Sequence, residues 1–279
     1  TGSNRLSASG ETSLSGDATF GAGADTVQLS GKAAFAGRMD LGGGADRLAL
    51  SGTAQLRGTL AGAGQAAVTV AGGTLAITSP GTVNLGSLAV TDQGTIGVAI
   101  DGKAGTFTRL VVASAASFAA GSKLSVTLAN VSRSEGSYQI ISAGSLTGSA
   151  NIVASSIALP FLFKSTLAGS DAAGTVTVDI KRKSATEMAL SGSQARAYDA
   201  VFRALDSDAA VASSFLGAGN AAQASAAVQQ MLPDHAGGTF ATVTQGSRAT
   251  ARFLTDTAAP YQNEGNWGFW LQQTVWGSA

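Results

Sequence analysis

Two aspartates in repeated text are the residues best suited to chemistry in this chain. The stretches "GAGADTVQL" (residues 21–29) and "GGGADRLAL" (residues 42–50) keep most of the nonapeptide G-G-x-G-x-D-x-U-x, whose acidic position binds calcium in stacked repeats. Asp25 and Asp46 would stack as neighbours, and calcium, which takes carboxylate and carbonyl oxygens, would relieve their repulsion. Three departures stand against a metal. Phe20 and Leu41 replace the first Gly, the motif occurs once per repeat, and a third copy, "GAGQAAVTV" (residues 62–70), has no Asp. The expectation is two exposed turn aspartates that are weak calcium candidates, so no metal and no cofactor is assigned.

Other catalytic arrangements are thinner still. His235 is the single histidine, so any Ser-His-Asp site must use it. It stands in "LPDHAGG" beside Asp234 with no nucleophile elbow, and reads as a turn residue between helices. Glu11, Glu135, Glu187 and Glu264 are scattered and suggest no carboxylate pair for glycoside hydrolysis. Gly21, Gly23, Gly42 and Gly44 do not lead from a strand into a helix, so they read as repeat turns rather than a phosphate loop. The expectation is a non-enzymatic chain.

Composition narrows the class. Charged residues are 12% of the 279, about half the usual ≈ 25%. The net charge of zero leaves no basic footprint for nucleic acid. Hydrophobic residues, at 44%, exceed what a solvated coil carries, which argues against disorder. With Cys 0, disulfide scaffolds, thiolate zinc sites and cysteine nucleophiles are excluded. The opening "TGSNRLSASG" already has the character of repeat text, and the expectation is an internal fragment of a longer product.

The elements that would hold these residues follow from periodicity. "FGAGADTVQLSG" (residues 20–31) returns as "LGGGADRLALSG" (residues 41–52), 21 positions on. Val27 and Leu29, Leu48 and Leu50, and Val68 and Val70 alternate with polar or small residues, which is the period of a strand. One such unit cannot bury its apolar face alone, whereas stacked units form a continuous core. Val27, Leu48 and Val68 should then lie above one another at about 4.8 Å per level. Strand text continues to about residue 183, enough for roughly eight levels at ~20 residues each. An apolar knot, "IALPFLF" (residues 157–163), would plug the end.

Past Ser184 the period changes. "QARAYDAVFRALDSDAAVASSFL" (residues 194–216) places Ala197, Val201, Ala204 and Leu205 at helical spacing, with Tyr198 and Phe202 four apart. Asn220 is positioned to cap a second helix that Pro233 would end. A third segment, residues 238–257, would span about 30 Å as a helix, close to a bilayer's thickness. Arg248, Arg252 and Asp256 exclude a lipid-facing helix there and suit a water-lined pore. All three tryptophans fall in the last fourteen residues, "NWGFWLQQTVWGSA", where Trp267, Phe269, Leu271 and Val275 alternate with smaller or polar residues. Trp267, Phe269 and Trp276 near the ends of such a strand suit the interface aromatics of an outer-membrane barrel.

Taken in order, these pieces resemble the C-terminal half of a type Va, pertactin-like autotransporter. The resemblance is carried by "IDGKAGTFTRLVV" (residues 100–112), "GSYQIISAGSLTG" (136–148), "MALSGSQARAYDAVFRAL" (188–205), "MLPDHAGGTFATVTQGSR" (231–248) and "NWGFWLQQ" (266–273). It implies an all-β fold: a right-handed parallel β-helix, or solenoid, followed by a helical linker and the first strand of a truncated outer-membrane β-barrel. The implied domains are 1–186, a passenger end with an autochaperone-like cap at about 74–186; 187–259, linker and pore helix; and 260–279, the first barrel strand.

The implied function is to support folding, secretion and surface display of a passenger at the bacterial outer membrane. The implied partners are the outer membrane, reached through the missing barrel, the barrel-assembly machinery, and a host or cell-surface ligand. The asparagine pair used for self-cleavage in one branch of the family is absent from the third segment, so no cleavage inside the barrel is expected. Two alternatives stay open: a stalk for a protease or esterase domain upstream of residue 1, and a solenoid adhesin.

If residues 238–257 line a pore, Arg248 and Arg252 face acidic groups on its wall. Replacing both with Glu should then lower surface display of the passenger, measured as its accessibility to protease added to intact cells. Undiminished display would remove the arginines from the mechanism.

Overall fold

The computed structural model describes residues 2–131, 133–190 and 192–232. The chain begins with short strands: β1 (Arg5–Ala8), β2 (Ser13–Ser15), β3 (Ala18–Thr19), β4 (Thr26–Leu29), β5 (Ala34–Asp40) and β6 (Arg47–Ser51). It continues through β7 (Gln55–Ala61), β8 (Ala67–Ala71), β9 (Thr74–Ile77), β10 (Gly81–Leu85), β11 (Ser87–Thr91) and β12 (Thr95–Asp101). Longer strands follow: β13 (Thr106–Phe118), β14 (Lys123–Leu128), β15 (Gly136–Thr147), β16 (Phe163–Ser170) and β17 (Thr175–Arg182). Three helices close the order: α1 (Gly192–Ala204), α2 (Ala209–Leu216) and α3 (Ala221–Met231).

The strands form one large, curled and mostly parallel sheet, so the all-β expectation holds at that level. Two ladders run through it. In the first, β1, β4, β6, β8, β11, the second half of β13 and β15 pair in parallel; in the second, β2 with β3, then β5, β7, β9, β12 and β14 do so. The chain visits the ladders alternately, and each partner lies about one repeat away in sequence.

Register follows the hydrophobic pattern. Val27 pairs with Leu48 and Leu48 with Val68, and all three side chains are buried. A slip of one residue would turn this column out to solvent. The second ladder is six levels deep (β2 with β3, β5, β7, β9, β12, β14), fewer than the eight estimated from repeat length. The shortfall arises because later levels are longer. β12 turns back antiparallel onto β13 at Ile100↔Phe107, and β10 adds a strand beside β13.

The parallel order stops at β15. There β17 pairs antiparallel with β15, and β16 pairs antiparallel with β17. The apolar knot lies at this end, with Ile157, Leu162 and Phe163 buried and Phe161 half-buried. The helical segment departs from its expectation in one respect: residues 194–216 are two helices, not one. Asp208 breaks them apart by capping α2, its carboxylate accepting from the N–H groups of Ala210 and Val211. Asn220 does cap the next helix, its Oδ1 accepting the Gln223 N–H at 2.9 Å. Strands and helices through Met231 make one compact unit.

Some corners between levels leave no room for a side chain and others do. A Cβ on Gly42, whose φ is +77°, would lie 2.2 Å from the carbonyl oxygen of Gly21 one level below. A Cβ on Gly21 itself would meet nothing within 4 Å. Gly42→Ala should therefore lower unfolding stability by about 2 kcal/mol or more, while Gly21→Ala stays within ~0.5 kcal/mol of the parent. Denaturant titration of both variants checks the contrast, and equal losses would contradict it.

Candidate functional site

Among the residues read as candidates, the structure brings two together. Asp25 and Asp46 precede the register pair Thr26↔Arg47 and so occupy the same place on successive levels. Contrary to expectation they are not exposed turn residues: they are 1% and 2% exposed. The strand alternation explains this, because positions 25, 27 and 29 point inward together, as do 46, 48 and 50. Asp46 Oδ1 accepts the Asp25 backbone N–H at 2.8 Å, and Asp25 Oδ1 accepts both the backbone N–H and the side-chain amide of Asn4. Asn4 escaped the sequence reading, although it lies the same 21 positions before Asp25 that separate the two aspartates.

The third copy differs in the way its sequence suggests. Ala66 stands where the aspartate would be, and its N–H is satisfied locally by the Ala63 carbonyl at 2.9 Å. The side chain at this position therefore serves the level beneath it, and the column runs through Asn4, Asp25 and Asp46 and then ends.

A second polar centre joins α1 to the antiparallel end. Tyr198, nearly fully buried, donates its hydroxyl to the Lys183 carbonyl at 2.9 Å. Arg182 lies over the rings of Tyr198 and Phe202, 4.9 Å and 4.5 Å from their centroids, and its Nη2 is 2.7 Å from Asp199 Oδ1. Its backbone N–H donates to Glu135 Oε1 at 2.9 Å. The Tyr198 and Phe202 spacing thus does more than steady a helix: both rings stack on one guanidinium, a contact worth up to about 2 kcal/mol when desolvated. Phe202 also meets Phe163 edge-on at 6.3 Å, which ties the helix to the apolar knot.

Of the scattered glutamates, Glu264 lies outside the described residues and the other three stay apart in function. Glu11 pairs with Lys32 and Glu187 with Lys164, both at the surface, while Glu135 takes the Arg182 N–H. Lys164 and Ser184 hold the Glu187 carboxyl down to about 2, as suits a charge-assisted surface contact. No group of three or more His, Cys, Asp or Glu residues is gathered among the described residues. Along the free side of β14 runs an open groove of about 390 Å³ lined by Val126, Leu128, Pro160 and Leu216. His235, the arginines Arg248 and Arg252, and the aromatics Trp267, Phe269 and Trp276 lie outside the described residues. No helix among those described is long and apolar enough to cross a membrane, which leaves strand crossings untouched.

Comparison with known proteins returned no match: no family model, no curated protein and no solved structure.

The Tyr198 contact has a pH signature. Burial pushes its phenol up to about 12, although Arg182 pulls the other way. Because the folded value lies above the ordinary 10.0, the contribution is whole below pH 10 and is lost as pH rises toward 12. Stability of the parent should fall across that window, and Tyr198→Phe should flatten the fall while losing about 1 kcal/mol at neutral pH with its hydrogen bond. Equilibrium unfolding from pH 8 to 12 measures both; identical slopes would remove Tyr198 from the linkage.

Proposed function

We propose that this chain is the C-terminal part of an autotransporter passenger with its attached linker. In this reading residues 1–186 are a right-handed parallel β-helix with an autochaperone-like cap, residues 187–259 lead into a barrel pore, and residues 260–279 begin the barrel. The module catalyses no reaction; it folds outside the cell and draws out what is attached to it. Barrel-assembly machinery and the outer membrane are its partners, and the cell surface is its place of work.

The observation that carries the reading is the closure of the stack at its C-terminal end. Levels repeat in register for most of its length, then antiparallel β17 and β16 close it on β15. A closed end gives the stack a place to start, since each further level gains its hydrogen bonds from the level already formed. Secretion driven by folding needs such a starting point, and Cys 0 places no covalent loop in the path of a threading chain.

The test is display of the complete gene product in a Gram-negative host. Val178 and Ile180, at the centre of the antiparallel closure, are buried. Val178→Asp should unseat the cap, since an unpaired buried charge costs at least about 3 kcal/mol. Protease-accessible passenger on intact cells should drop several-fold while the barrel still assembles. Passenger that remains inside wild-type cells, or full display by the variant, would refute the proposal.

A further inference from the structure

Only half of each carboxylate in the Asp25 and Asp46 column is used. The Oδ1 atoms accept the hydrogen bonds from the level below, whereas both Oδ2 atoms are buried with no hydrogen-bond partner. Neither aspartate forms an ion pair among the described residues. A ladder that needed only an acceptor for a backbone N–H could use asparagine, which brings no charge indoors. Two carboxylates one level apart, about 4.8 Å, instead place like charges together in a dry interior.

The surroundings are oxygen-rich. The carbonyl oxygens of Phe20 and Gly21 lie 2.5 Å and 2.2 Å from where a Cβ on Gly42 would be, and those of Ala22 and Gly23 lie 3.1 Å and 2.4 Å from a Cβ on Gly44. These oxygens therefore lie on the face of one turn that packs directly against the next. None of the four accepts a hydrogen bond from protein among the described residues. The glycines at 42 and 44 allow the turns to approach this closely.

We infer that Asp25 and Asp46 bind a hard divalent cation of calcium's size through their Oδ2 atoms. The turn carbonyls without a protein donor are the oxygens available to complete its shell. Calcium suits this better than magnesium, because it accepts irregular shells rich in carboxylate and carbonyl oxygen, while magnesium holds its waters in a strict octahedron. Three departures from the motif stand against calcium in the sequence: Phe20 and Leu41 in place of the first Gly, one motif per repeat, and no Asp in the third copy. Two buried carboxylates with an oxygen each to spare outweigh them. The site belongs to the first two complete repeats and is independent of how the chain is secreted.

The experiment uses the full chain stripped with chelator and titrated with calcium chloride in a calorimeter, alongside melting curves. Asp25→Asn with Asp46→Asn is the companion variant, since each amide oxygen can still accept the N–H from the level below. Asp46→Asn alone serves if the double variant does not fold. The parent should show saturable heat at one ion per chain and a melting temperature raised by several degrees in millimolar calcium. The variant should show neither, and magnesium should do far less on the parent. No saturable heat from the parent, or an unchanged response in the folded variant, overturns the site; an equal response to magnesium overturns its assignment to calcium.

Discussion

Every parallel strand in this protein gives its backbone hydrogen bonds along one direction, to the level before and the level after. A level cannot satisfy its own N–H and C=O groups, and it cannot bury its own apolar face, so each depends on its neighbour for both. Side-chain identity then repeats because position repeats: Val27, Leu48 and Val68 form one column, Phe35 and Leu56 another. The glycine corners have the same origin. Where a carbonyl of one level lies in the path of the next level's Cβ, as Gly21 does beneath Gly42, only hydrogen fits.

A structure built this way has its difficulty at the ends, where paired edges run out. The closed end changes pairing mode, so that β16, β17 and β15 satisfy one another antiparallel, and then covers the apolar surface with Phe163, Leu162 and α1. Arg182 is the joint. Its backbone belongs to β17, its charge meets Asp199, and its guanidinium supports two aromatic rings of α1. Lys183 repeats the arrangement with Nζ 3.5 Å from the Phe161 ring centroid. Cations over rings allow strongly polar side chains to sit at a boundary that is otherwise aliphatic.

Inside the stack, polar side chains mark places where the regular ladder is interrupted. Thr108 is fully buried; its hydroxyl donates to the Ser79 carbonyl and accepts the Ala99 N–H, both at 3.0 Å, next to where β12 folds back on β13. Ser122 Oγ bonds the Ala119 carbonyl at 2.7 Å in the turn before β14. At the surface, in the turn after β16, Asp171 accepts from the N–H groups of Gly148 and Ser149, and hydrogen bonding from the Ser149 side chain, then from these N–H groups, holds its carboxyl below the ordinary range. Asp25 and Asp46 belong to this set by position but not by accounting, because half of each carboxylate is left over.

The amino-acid sequence by itself determined the levels of the first ladder, because strict alternation around Val27, Leu48 and Val68 has one buried face and therefore one register. It also determined the cap at Asn220, a local bond between a side chain and a nearby N–H. It hid the early strands of the second ladder: β5 and β7 carry Gly37 and Gly58 at their centres, and those glycines break the alternation that marks a strand. Three things were decided only by the tertiary structure. Pairing of β17 with β15 joins residues some forty positions apart, and no local pattern records whether such partners run parallel or antiparallel. The stacking of Tyr198 and Phe202 on Arg182 needs a strand and a helix brought together by that closure. Burial of Asp25 and Asp46 was decided there too, since a charged residue in a glycine turn reads as solvated until the next level is laid over it.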